Sequence, residues 1–493
     1  MPSIAPKPFW QTADQKTVRL YQGDTRAVLR RLPEKSVHCV VTSPPYWALR
    51  DYQVAGQLGS ESSPDCGTMG QAQCGDCFVC SMVSVFREVY RVLRDDGTLW
   101  LNLGDSYNSN TGIGFNANAY KGNQSPARLE TAKQQLKNRP KLGMPSGNLV
   151  GIPWRVALAL QNDGWILRQD IIWHKPSPMP ESAKNRCTKA HEYVFLFAKR
   201  SGYFYDAEAI KETADTADLP PRTLGKKQSE TEFDGMISHN EDHARAVLER
   251  VPRRNRRSVW NVASQGYPGA HFATYPPKLI EPMILAGTSE RGCCTDCGTP
   301  WKRVSLEEKL FRERPNDYVK RTGEEGTGNS CPNTVAGVST EELGWYPGCD
   351  CLGLPAIPKE PAVGKNWNSE KAAQEKLIQG SDSGKAVHDS DRRNGIRQSQ
   401  ERSKWSGEVA RLCERAAIYE TVPCTVLDPF VGSGTTCAVA LANGRRSIGI
   451  DLSADYLREN AVVRIEGEIL QRPALSELKN RTAEAVTGVK PLS

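Results

Sequence analysis

The sequence predicts an α/β fold built on a mostly parallel β-sheet, and three observations support that prediction. Short apolar runs alternate with helix-forming segments between Val18 and Phe197. The same alternation returns between Thr425 and Asn460, after a long polar interval. Several of the apolar runs end abruptly in Pro, Gly or Asp, as parallel strands do where they meet a loop. We therefore expect strands from two distant parts of the chain.

The elements of the first part follow in order along the chain. A strand is predicted at Val18 to Tyr21, and Asp24 is suited to cap the helix after it. A second strand, Val37 to Val41, ends at Ser43-Pro44-Pro45. Apolar residues at helical spacing predict a helix around Val83 to Leu93. The later predicted elements are strand Thr98 to Leu103, helix Trp154 to Leu160, strand Trp165 to Trp173 and strand Tyr193 to Phe197.

Two further features complete the predicted sheet. A turn at Arg200-Ser201-Gly202 predicts an antiparallel hairpin between the strand before it and Tyr203 to Tyr205. The elements predicted in the second part are strand Thr425 to Asp428, helix Thr435 to Asn443 and strand Ser447 to Asp451.

Composition limits the classes of protein that fit. The chain has 493 residues, enough for a large core with inserted modules. No apolar run is long enough to span a bilayer, and residues 1–15 lack the layout of a signal peptide. We therefore expect a cytoplasmic protein with no membrane partner. Its 15 cysteines are then more consistent with metal ligands or free thiols than with disulfides. The net charge of +7 does not by itself indicate nucleic-acid binding.

The segment from Asp428 to Thr436 ends a predicted strand and opens a helix. Its glycines allow a tight turn and let a ligand lie against the backbone. Asp451 closes the next strand, near the spacing at which an acid bonds ribose hydroxyls. A dinucleotide fingerprint needs glycine at Cys437 and a phosphate-binding loop needs a Gly-Lys-Ser/Thr ending, so the pattern favours S-adenosylmethionine over NAD or ATP. The alternative is an ordinary glycine-rich turn. The candidate cofactor-binding residues are Asp24, Asp428, Pro429, Phe430, Gly432, Gly434, Thr435 and Asp451.

The segment from Thr42 to Trp47 predicts a site for a planar base that carries an amino group. The amino nitrogen of cytosine or adenine is a poor nucleophile because its lone pair is delocalised into the ring. Ser43 Oγ and the Pro44 carbonyl are placed to accept its hydrogens, and the prolines hold the loop rigid. Tyr46 is suited to stack on a base rotated out of the duplex. The candidate catalytic residues are Ser43, Pro44, Pro45 and Tyr46; a rigid Pro-Pro turn is the alternative for this tetrapeptide alone.

With these motifs in this order, the chain resembles site-specific DNA methyltransferases that modify exocyclic amines, in the permuted arrangement where the catalytic motif comes first. Three further stretches resemble family segments: Gly97 to Asp105, Gln169 to Pro176 and His191 to Phe195. His271 to Leu285 resembles the segment that covers the methionine end of the cofactor. The resemblance implies a Rossmann-like methyltransferase fold, base flipping and direct transfer without a covalent intermediate. It also implies a bacterial or phage-encoded enzyme of the restriction–modification type.

The resemblance further implies a division of the chain. Residues 16–206 are expected to form the catalytic half of the methyltransferase domain, and residues 258–288 with 423–470 the cofactor-binding half. Residues 207–257 occupy the place of a target-recognition segment. Residues 289–422 form a Cys-rich insertion with a flexible low-complexity part, and residues 471–493 form a tail.

The methylated base is expected to be cytosine, at N4. Ser-Pro-Pro-Tyr resembles the cytosine-N4 enzymes, whereas adenine-N6 enzymes usually have Asp or Asn in the first place. Adenine-N6 stays an alternative, because Ser and Asp both accept hydrogen bonds. An RNA-methylating enzyme and a non-catalytic zinc-containing DNA-binding protein on the same fold are further alternatives. A cytosine-C5 enzyme is rejected, because Cys424 lies on the entry side of the cofactor strand.

Two groups of cysteines have the spacing of metal ligands. Cys294 and Cys297 form one close pair, Cys349 and Cys351 another, and together they favour a structural zinc site, with reduced cysteines in an insertion as the alternative. The second group is Cys66, Cys74, Cys77 and Cys80. There we expect packed, reduced cysteines, because Cys80 adjoins an apolar helix.

A basic cluster supports double-stranded DNA as the partner. It contains Arg253, Arg254, Arg256 and Arg257, which suit contacts to phosphates or guanine edges. A solvated basic loop is the alternative.

Overall fold

The computed structural model describes residues 6–14, 16–48, 54–68, 74–108, 144–181, 183–213, 253–265, 275–311, 335–361 and 389–471. Most of the predicted recognition segment and of the tail lies outside these residues. The chain divides into two compact units. Unit 1 comprises residues 1–209, 257–292 and 423–493, and unit 2 comprises residues 210–256 and 293–422. Within the described part of the chain, no helix is both long and apolar enough to cross a membrane.

Strands and helices are numbered in chain order. The strands are β1 (Trp10–Gln11), β2 (Val18–Gln22), β3 (Val37–Thr42), β4 (Leu93–Leu103), β5 (Ile166–His174), β6 (His191–Ala198), β7 (Glu212–Thr213), β8 (Arg253–Arg254), β9 (Val259–Asn261), β10 (Cys293–Cys294), β11 (Lys302–Phe311), β12 (Val335–Tyr346), β13 (Thr421–Val422), β14 (Thr425–Asp428) and β15 (Arg446–Asp451). The α-helices are α1 (Thr25–Leu29), α2 (Phe78–Val92), α3 (Ile152–Asn162), α4 (Pro277–Gly287), α5 (Asp389–Ala416), α6 (Thr435–Ala442), α7 (Ala454–Tyr456) and α8 (Val463–Leu470). A 3₁₀ turn spans Glu208–Ile210, and a π-helical turn, Leu457–Val462, joins α7 to α8.

Unit 1 is built on one mixed sheet with the strand order β1-β2-β15-β14-β3-β4-β6-β5-β9. Five neighbouring strands are mutually parallel, namely β2, β15, β14, β3 and β4. β6 runs antiparallel to both of its neighbours, β4 and β5. β14 and β15, which come late in the chain, lie between β2 and β3. The predicted α/β fold with a mostly parallel sheet is therefore confirmed, and it is Rossmann-like.

The antiparallel hairpin is formed by different residues from those predicted. β6 pairs with β5, with Tyr193 opposite Ile172, and the stretch Tyr203 to Tyr205 belongs to no strand. The physical reason is that β6 already has a hydrogen-bonded partner along each edge, so neither edge is open to a further strand. Tyr205 instead stacks on Trp100, with ring centroids 6.3 Å apart.

The core of unit 1 explains why its central strands read as unbroken apolar runs. Every residue of β3 and of β14 is buried, as expected for strands covered by helices on both faces. Helix α2 contributes an apolar face that includes Phe78 and Phe86, both fully buried. The resulting packing fixes where the loops leave the sheet.

Unit 2 has its own small core. A sheet of order β11-β12-β8-β7 accompanies the two-stranded pair β10–β13. Trp301 and Tyr346 form an apolar cluster with Trp405, Val409 and Cys413 of α5. The low-complexity stretch Pro358 to Ser403 is predicted by its composition to be flexible, but its residues 389–403 belong to α5.

Gly449, in the middle of β15, is predicted to be intolerant of a side chain. A Cβ atom there would lie 2.7 Å from Val431 Cγ2 and 2.8 Å from Leu20 Cδ2. We expect Gly449→Ala to destabilise the protein by about 1–3 kcal/mol, because such overpacking displaces core side chains. The lowered midpoint is measured by thermal unfolding followed by circular dichroism.

The matched control is Gly467→Ala on α8, where a Cβ meets nothing within 4 Å. Alanine favours a helix over glycine by up to about 1 kcal/mol, so the midpoint should stay or rise. Equal midpoints for the two variants would contradict the packing argument.

Candidate active site

The two motifs meet because their strands are neighbours in the sheet. β14 pairs in parallel with β3, with Leu427 opposite Val40. Asp428 and Thr42 therefore end adjacent strands at the carboxyl edge of the sheet, where α/β folds bind ligands. Thr42 Oγ1 donates to Asp428 Oδ1 at 2.7 Å.

The Asp428 carboxylate is fully buried and enclosed by donors. Besides Thr42, it accepts from Phe430 N at 3.0 Å, Thr436 Oγ1 at 2.6 Å and Tyr275 Oη at 2.8 Å. Burial raises the pKa of this carboxyl above its ordinary value, while the hydrogen bonds from Thr436 and Thr42 oppose that shift. Burial and the nearby Asp428 also raise the pKa of Tyr275. Asp428 thus holds three segments of unit 1 together.

A cavity of about 220 Å³ opens beside this network. It is lined by Gly23, Asp24, Thr25, Ser43, Pro45, Val54, Gly56, Gln57, Leu58, Tyr275, Pro429, Phe430, Val431, Gly432, Ser433, Thr435, Asp451, Leu452, Ser453 and Tyr456. Most of the predicted cofactor-binding residues are in this set, together with Ser43 and Pro45. Pro44, Tyr46, Asp428 and Gly434 are outside it.

Asp451 presents a carboxylate to the cavity. Its Oδ2 accepts from Gly432 N at 3.1 Å and its Oδ1 from Ser453 N at 2.9 Å. Enclosure of the carboxyl group raises the pKa of Asp451 to about 6. A carboxylate oxygen can accept about two hydrogen bonds, so each oxygen retains accepting capacity beside its backbone donor. The group can therefore accept hydrogen bonds from a pair of hydroxyls.

The glycine turn leaves room for a ligand on one side and for a helix on the other. Gly432 has a φ of +48°, and a Cβ there would lie 3.7 Å from Tyr456 Cε1, a ring atom of another lining residue. Gly434 has a φ of +78° and precedes α6; a Cβ there would lie 2.8 Å from Ala461 Cα. A side chain at either position is strained by the left-handed backbone.

Asp24 has the capping role that the sequence predicts. Its side chain accepts from Arg26 N at 2.9 Å and Ala27 N at 3.2 Å, at the start of α1. Hydrogen bonding to the Arg26 side chain lowers the pKa of Asp24. The residue also lines the cavity, so it remains a candidate for ligand contact.

The loop that carries the candidate catalytic residues is held by residues for which the sequence predicts no role. Tyr46 Oη donates to Glu192 Oε2 at 2.7 Å and lies 3.0 Å from Asn102 Oδ1. Glu192 in turn pairs with Lys175. The Tyr46 ring packs on Gly104, where a Cβ would lie 2.5 Å from Tyr46 Cε2.

A signal for these residues was present in the sequence. Asn102, Lys175 and Glu192 all lie in stretches that resemble family segments. Nothing local to those stretches pointed to Tyr46, which is distant in the chain. Tyr275 lies in the stretch His271 to Leu285, of which residues 271–274 are outside the described residues.

Both cysteine groups come together in space. The sulfurs of Cys294, Cys297, Cys349 and Cys351 lie within 4.8 Å of one another, and so do those of Cys66, Cys74, Cys77 and Cys80. The second group was expected to be simply packed, yet Cys66 and Cys74 are exposed. Cys424 is buried and precedes β14, at the opposite end of that strand from Asp428.

The basic cluster is divided between strand and loop. Arg253 and Arg254 form β8, and Arg254 Nε lies 2.9 Å from Glu212 Oε1. The Arg257 carbonyl accepts from Trp260 Nε1 at 2.7 Å. The charge of Arg254 is thus partly compensated within the chain, which the sequence did not predict.

The sequence of the chain is similar to those of known DNA methyltransferases. A family model for N6/N4 methyltransferases, described as DNA methylase, matches residues 37–297 and 421–462. The Type II methyltransferase M.XycI of Xanthomonas campestris pv. cyanopsidis is 43% identical over 270 residues, 55% of this chain and 72% of that protein. The Type II methyltransferase M.SfiI of Streptomyces fimbriatus is 31% identical over 467 residues, 92% of this chain and 93% of that protein. Among solved structures, the PvuII DNA methyltransferase (cytosine-N4-specific) aligns with 98% of this chain and 96% of its own, at 14% identity and a TM-score of 0.42.

The hydrogen bond from Thr42 to Asp428 is predicted to stabilise unit 1. Thr42→Val keeps the shape of the side chain but removes a donor from a fully buried carboxylate. We expect a loss of about 1–3 kcal/mol, the usual cost of leaving a buried polar group short of a partner. A fall in the thermal unfolding midpoint measures it.

Thr188→Val provides the comparison, because Thr188 is exposed. Its midpoint should match that of the unmodified protein. The role assigned to the bond is wrong if Thr42→Val also leaves the midpoint unchanged.

Proposed function

The chain belongs to the N6/N4 DNA methylase family, and from that membership we propose that it transfers a methyl group from S-adenosylmethionine to the exocyclic N4 amine of cytosine in duplex DNA. The observation that carries the proposal is that Ser43, from the catalytic motif, and Asp451, from the cofactor half, line one cavity. Relatives named Type II methyltransferases support a site-specific enzyme of a restriction–modification system.

The residues of the cavity fit the cofactor. When bound, S-adenosylmethionine supplies an electrophilic methyl group on a sulfonium. Asp451 is suited to accept the ribose hydroxyls through the accepting capacity that its two backbone donors leave. Gly432 leaves the space that a side chain would fill, and Phe430 and Leu58 offer apolar surface to the adenine. Asp428 supports the residues of this site and is not expected to contact the cofactor, because its carboxylate already accepts hydrogen bonds from Thr42 and Tyr275.

The catalytic loop is suited to activate an amine without a covalent step. Ser43 Oγ lies 3.4 Å from Tyr46 Oη and donates to it, so its lone pairs are available to accept from other donors. Those lone pairs and the Pro44 carbonyl accept the amine hydrogens, which favours a pyramidal nitrogen with a more available lone pair. Tyr46 stacks on the flipped base, and its hydrogen bond to Glu192 restricts the rotation of its side chain.

The choice of cytosine rests on Ser43. Adenine-N6 enzymes usually have Asp or Asn in that place, and the resemblance of Ser-Pro-Pro-Tyr to the cytosine-N4 enzymes supports cytosine.

Two further assignments belong to this proposal. The arginines at 253, 254, 256 and 257 contact DNA phosphates, which adds a salt-dependent term to the affinity. Cys294, Cys297, Cys349 and Cys351 hold a structural zinc ion in unit 2, since four sulfurs within 4.8 Å of one another fit a tetrathiolate site.

Nucleoside analysis tests the proposed reaction. The purified protein is incubated with S-adenosylmethionine and unmethylated duplex DNA, and the digested nucleosides are separated and weighed by mass spectrometry. We expect N4-methylcytosine, and we expect it to be reduced at least about a hundredfold in Tyr46→Ala, because a lost stacking contact misplaces the base.

The exposed variant Thr188→Val serves as the control and should retain full activity. N6-methyladenine in place of N4-methylcytosine would overturn the choice of base while leaving the reaction class intact. Absence of both products, from folded protein that binds the cofactor, would overturn the reaction itself.

Cofactor binding is predicted to depend on the ionisation of Asp451. With a pKa of about 6, this carboxyl is ionised at pH 7.5 and mostly protonated at pH 5. A protonated carboxyl loses an acceptor for the ribose hydroxyls, so we expect the affinity to fall about tenfold between these values. Titration calorimetry at several pH values measures it.

The pH dependence of folding stability has the opposite sign to that of cofactor binding. Because the folded-state pKa of Asp451 lies above its ordinary value of 3.8, this group stabilises the empty protein as the pH falls from 6 towards 4. Asp451→Asn should weaken cofactor binding and abolish the fall in affinity between pH 7.5 and pH 5.

Asp455→Asn changes an exposed acid and should preserve that fall in affinity. If Asp455→Asn abolished it, the assignment of the pH dependence to Asp451 would be refuted.

A further inference from the structure

We propose that unit 1 carries a metal site of its own, in which Cys66, Cys74, Cys77 and Cys80 bind a zinc ion that fixes one wall of the cofactor cavity. The four sulfurs lie within 4.8 Å of one another, and those of Cys66 and Cys80 are 3.6 Å apart. A tetrahedral zinc ion with sulfurs at about 2.3 Å separates its ligands by about 3.8 Å. The sulfurs therefore already occupy positions close to those of a zinc tetrathiolate.

Local structure explains how the ligands converge. Cys77 is the N-cap of α2, and its Sγ accepts from Cys80 N at 3.4 Å, so both sulfurs lie at the first turn of the helix. Cys74 precedes Cys77 by three residues, which repeats the short spacing of zinc ligands. Cys66 reaches the same place from the preceding loop.

That loop is anchored independently of any metal. Phe78 N donates to Ser63 O at 3.0 Å and Val79 N to Pro64 O at 3.1 Å. Asp65 pairs with Arg155 of α3 at 2.8 Å. These bonds bring the residue before Cys66 to the start of α2, so the approach of the sulfurs is a consequence of the backbone path.

The chemistry of the donors selects the ion. Four thiolates suit a soft or borderline ion such as zinc and do not suit calcium or magnesium, which take oxygen ligands. Sulfurs this close enclose room for one ion, whereas an iron–sulfur cluster inserts several atoms between its thiolates. Within the described part of the chain no cysteine is in a disulfide, so none competes for these sulfurs.

The site matters for function because the same loop lines the cavity. Val54, Gly56, Gln57 and Leu58 all belong to the lining. The loop is tied to the catalytic motif by Ala48 N, which donates to Gly59 O at 2.7 Å, and by Trp47 Nε1, which donates to Glu61 O at 3.0 Å. A metal bound by Cys66 would also fix the loop on the C-terminal side of these bonds. The positions of Gln57 and Leu58 would then be restrained both by the catalytic motif and by the metal.

Metal content tests the site directly. Elemental analysis of the full-length protein should give two zinc ions per chain, and one in Cys66→Ser, Cys74→Ser or Cys297→Ser. Cys66→His should retain the second ion, since histidine nitrogen also binds zinc. Cys187→Ser, which changes an exposed cysteine outside both groups, should retain both.

Some outcomes would overturn the proposal. They are an unchanged zinc content in folded Cys66→Ser, a bound iron ion in place of zinc, or a disulfide among the four cysteines in the native protein. Circular dichroism establishes folding, and the retained metal in Cys66→His distinguishes loss of a ligand from general damage.

A second measurement tests the link to the cavity. We expect Cys66→Ser to raise the Kd for S-adenosylmethionine about tenfold, equivalent to about 1.4 kcal/mol, while Cys187→Ser leaves it unchanged. The change in Kd depends on the proposed cofactor, whereas the zinc content does not. Failure of the zinc site can therefore be distinguished from failure of the proposed function. An unchanged Kd in a variant that has lost its zinc would overturn the role assigned to the wall.

Discussion

The buried carboxylate of Asp428 is the interaction on which the site depends. Its donors come from the end of β3, from the segment before α4 and from the start of α6. Thr42 is separated from it by 386 positions in the chain and Tyr275 by 153. A hydrogen bond to a charged group contributes about 1.5–3 kcal/mol, and leaving such a group without partners is more costly still. The carboxylate therefore requires all three segments to be in place at once.

Asp428 and Asp451, which end neighbouring strands, have different roles. Burial raises the pKa of both Asp428 and Asp451, but their partners differ. Asp428 is enclosed by side-chain hydroxyls and one backbone N–H, whereas both bonds of Asp451 come from backbone N–H groups of the loops around the cavity. Asp428, which has more protein donors, therefore stabilises the fold around the site. Asp451 can still accept hydrogen bonds from the cavity and is suited to bind a ligand.

Features set by short stretches of chain were predictable from the sequence. The central strands, the cap at Asp24 and the turn at Gly432 depend on neighbouring residues, and the structure contains them. The partner of β6 was predicted wrongly, because hairpin rules consider adjacent segments only and β5 and β4 already occupied both edges. The bond from Tyr46 to Glu192 joins residues 146 positions apart, and no local pattern specifies such a pair. The convergence of Cys66 with Cys80 likewise depends on the loop bonds to α2, which spacing alone did not show.

The Cys-rich segment between β10 and β13 also depends on a pair of residues that are distant in the chain. β10 and β13 lie at its two ends and pair antiparallel, with Cys293 opposite Val422 and Cys294 opposite Thr421. The chain that leaves after α4 therefore returns to the same point before entering β14. Because the entropy of closing a loop grows only slowly with its length, a fixed pair of ends lets a long insertion form without altering the register of the strands that follow. β14 then pairs with β3, and Asp428 accepts the hydrogen bond from Thr42, although a long segment of chain lies between β10 and β13.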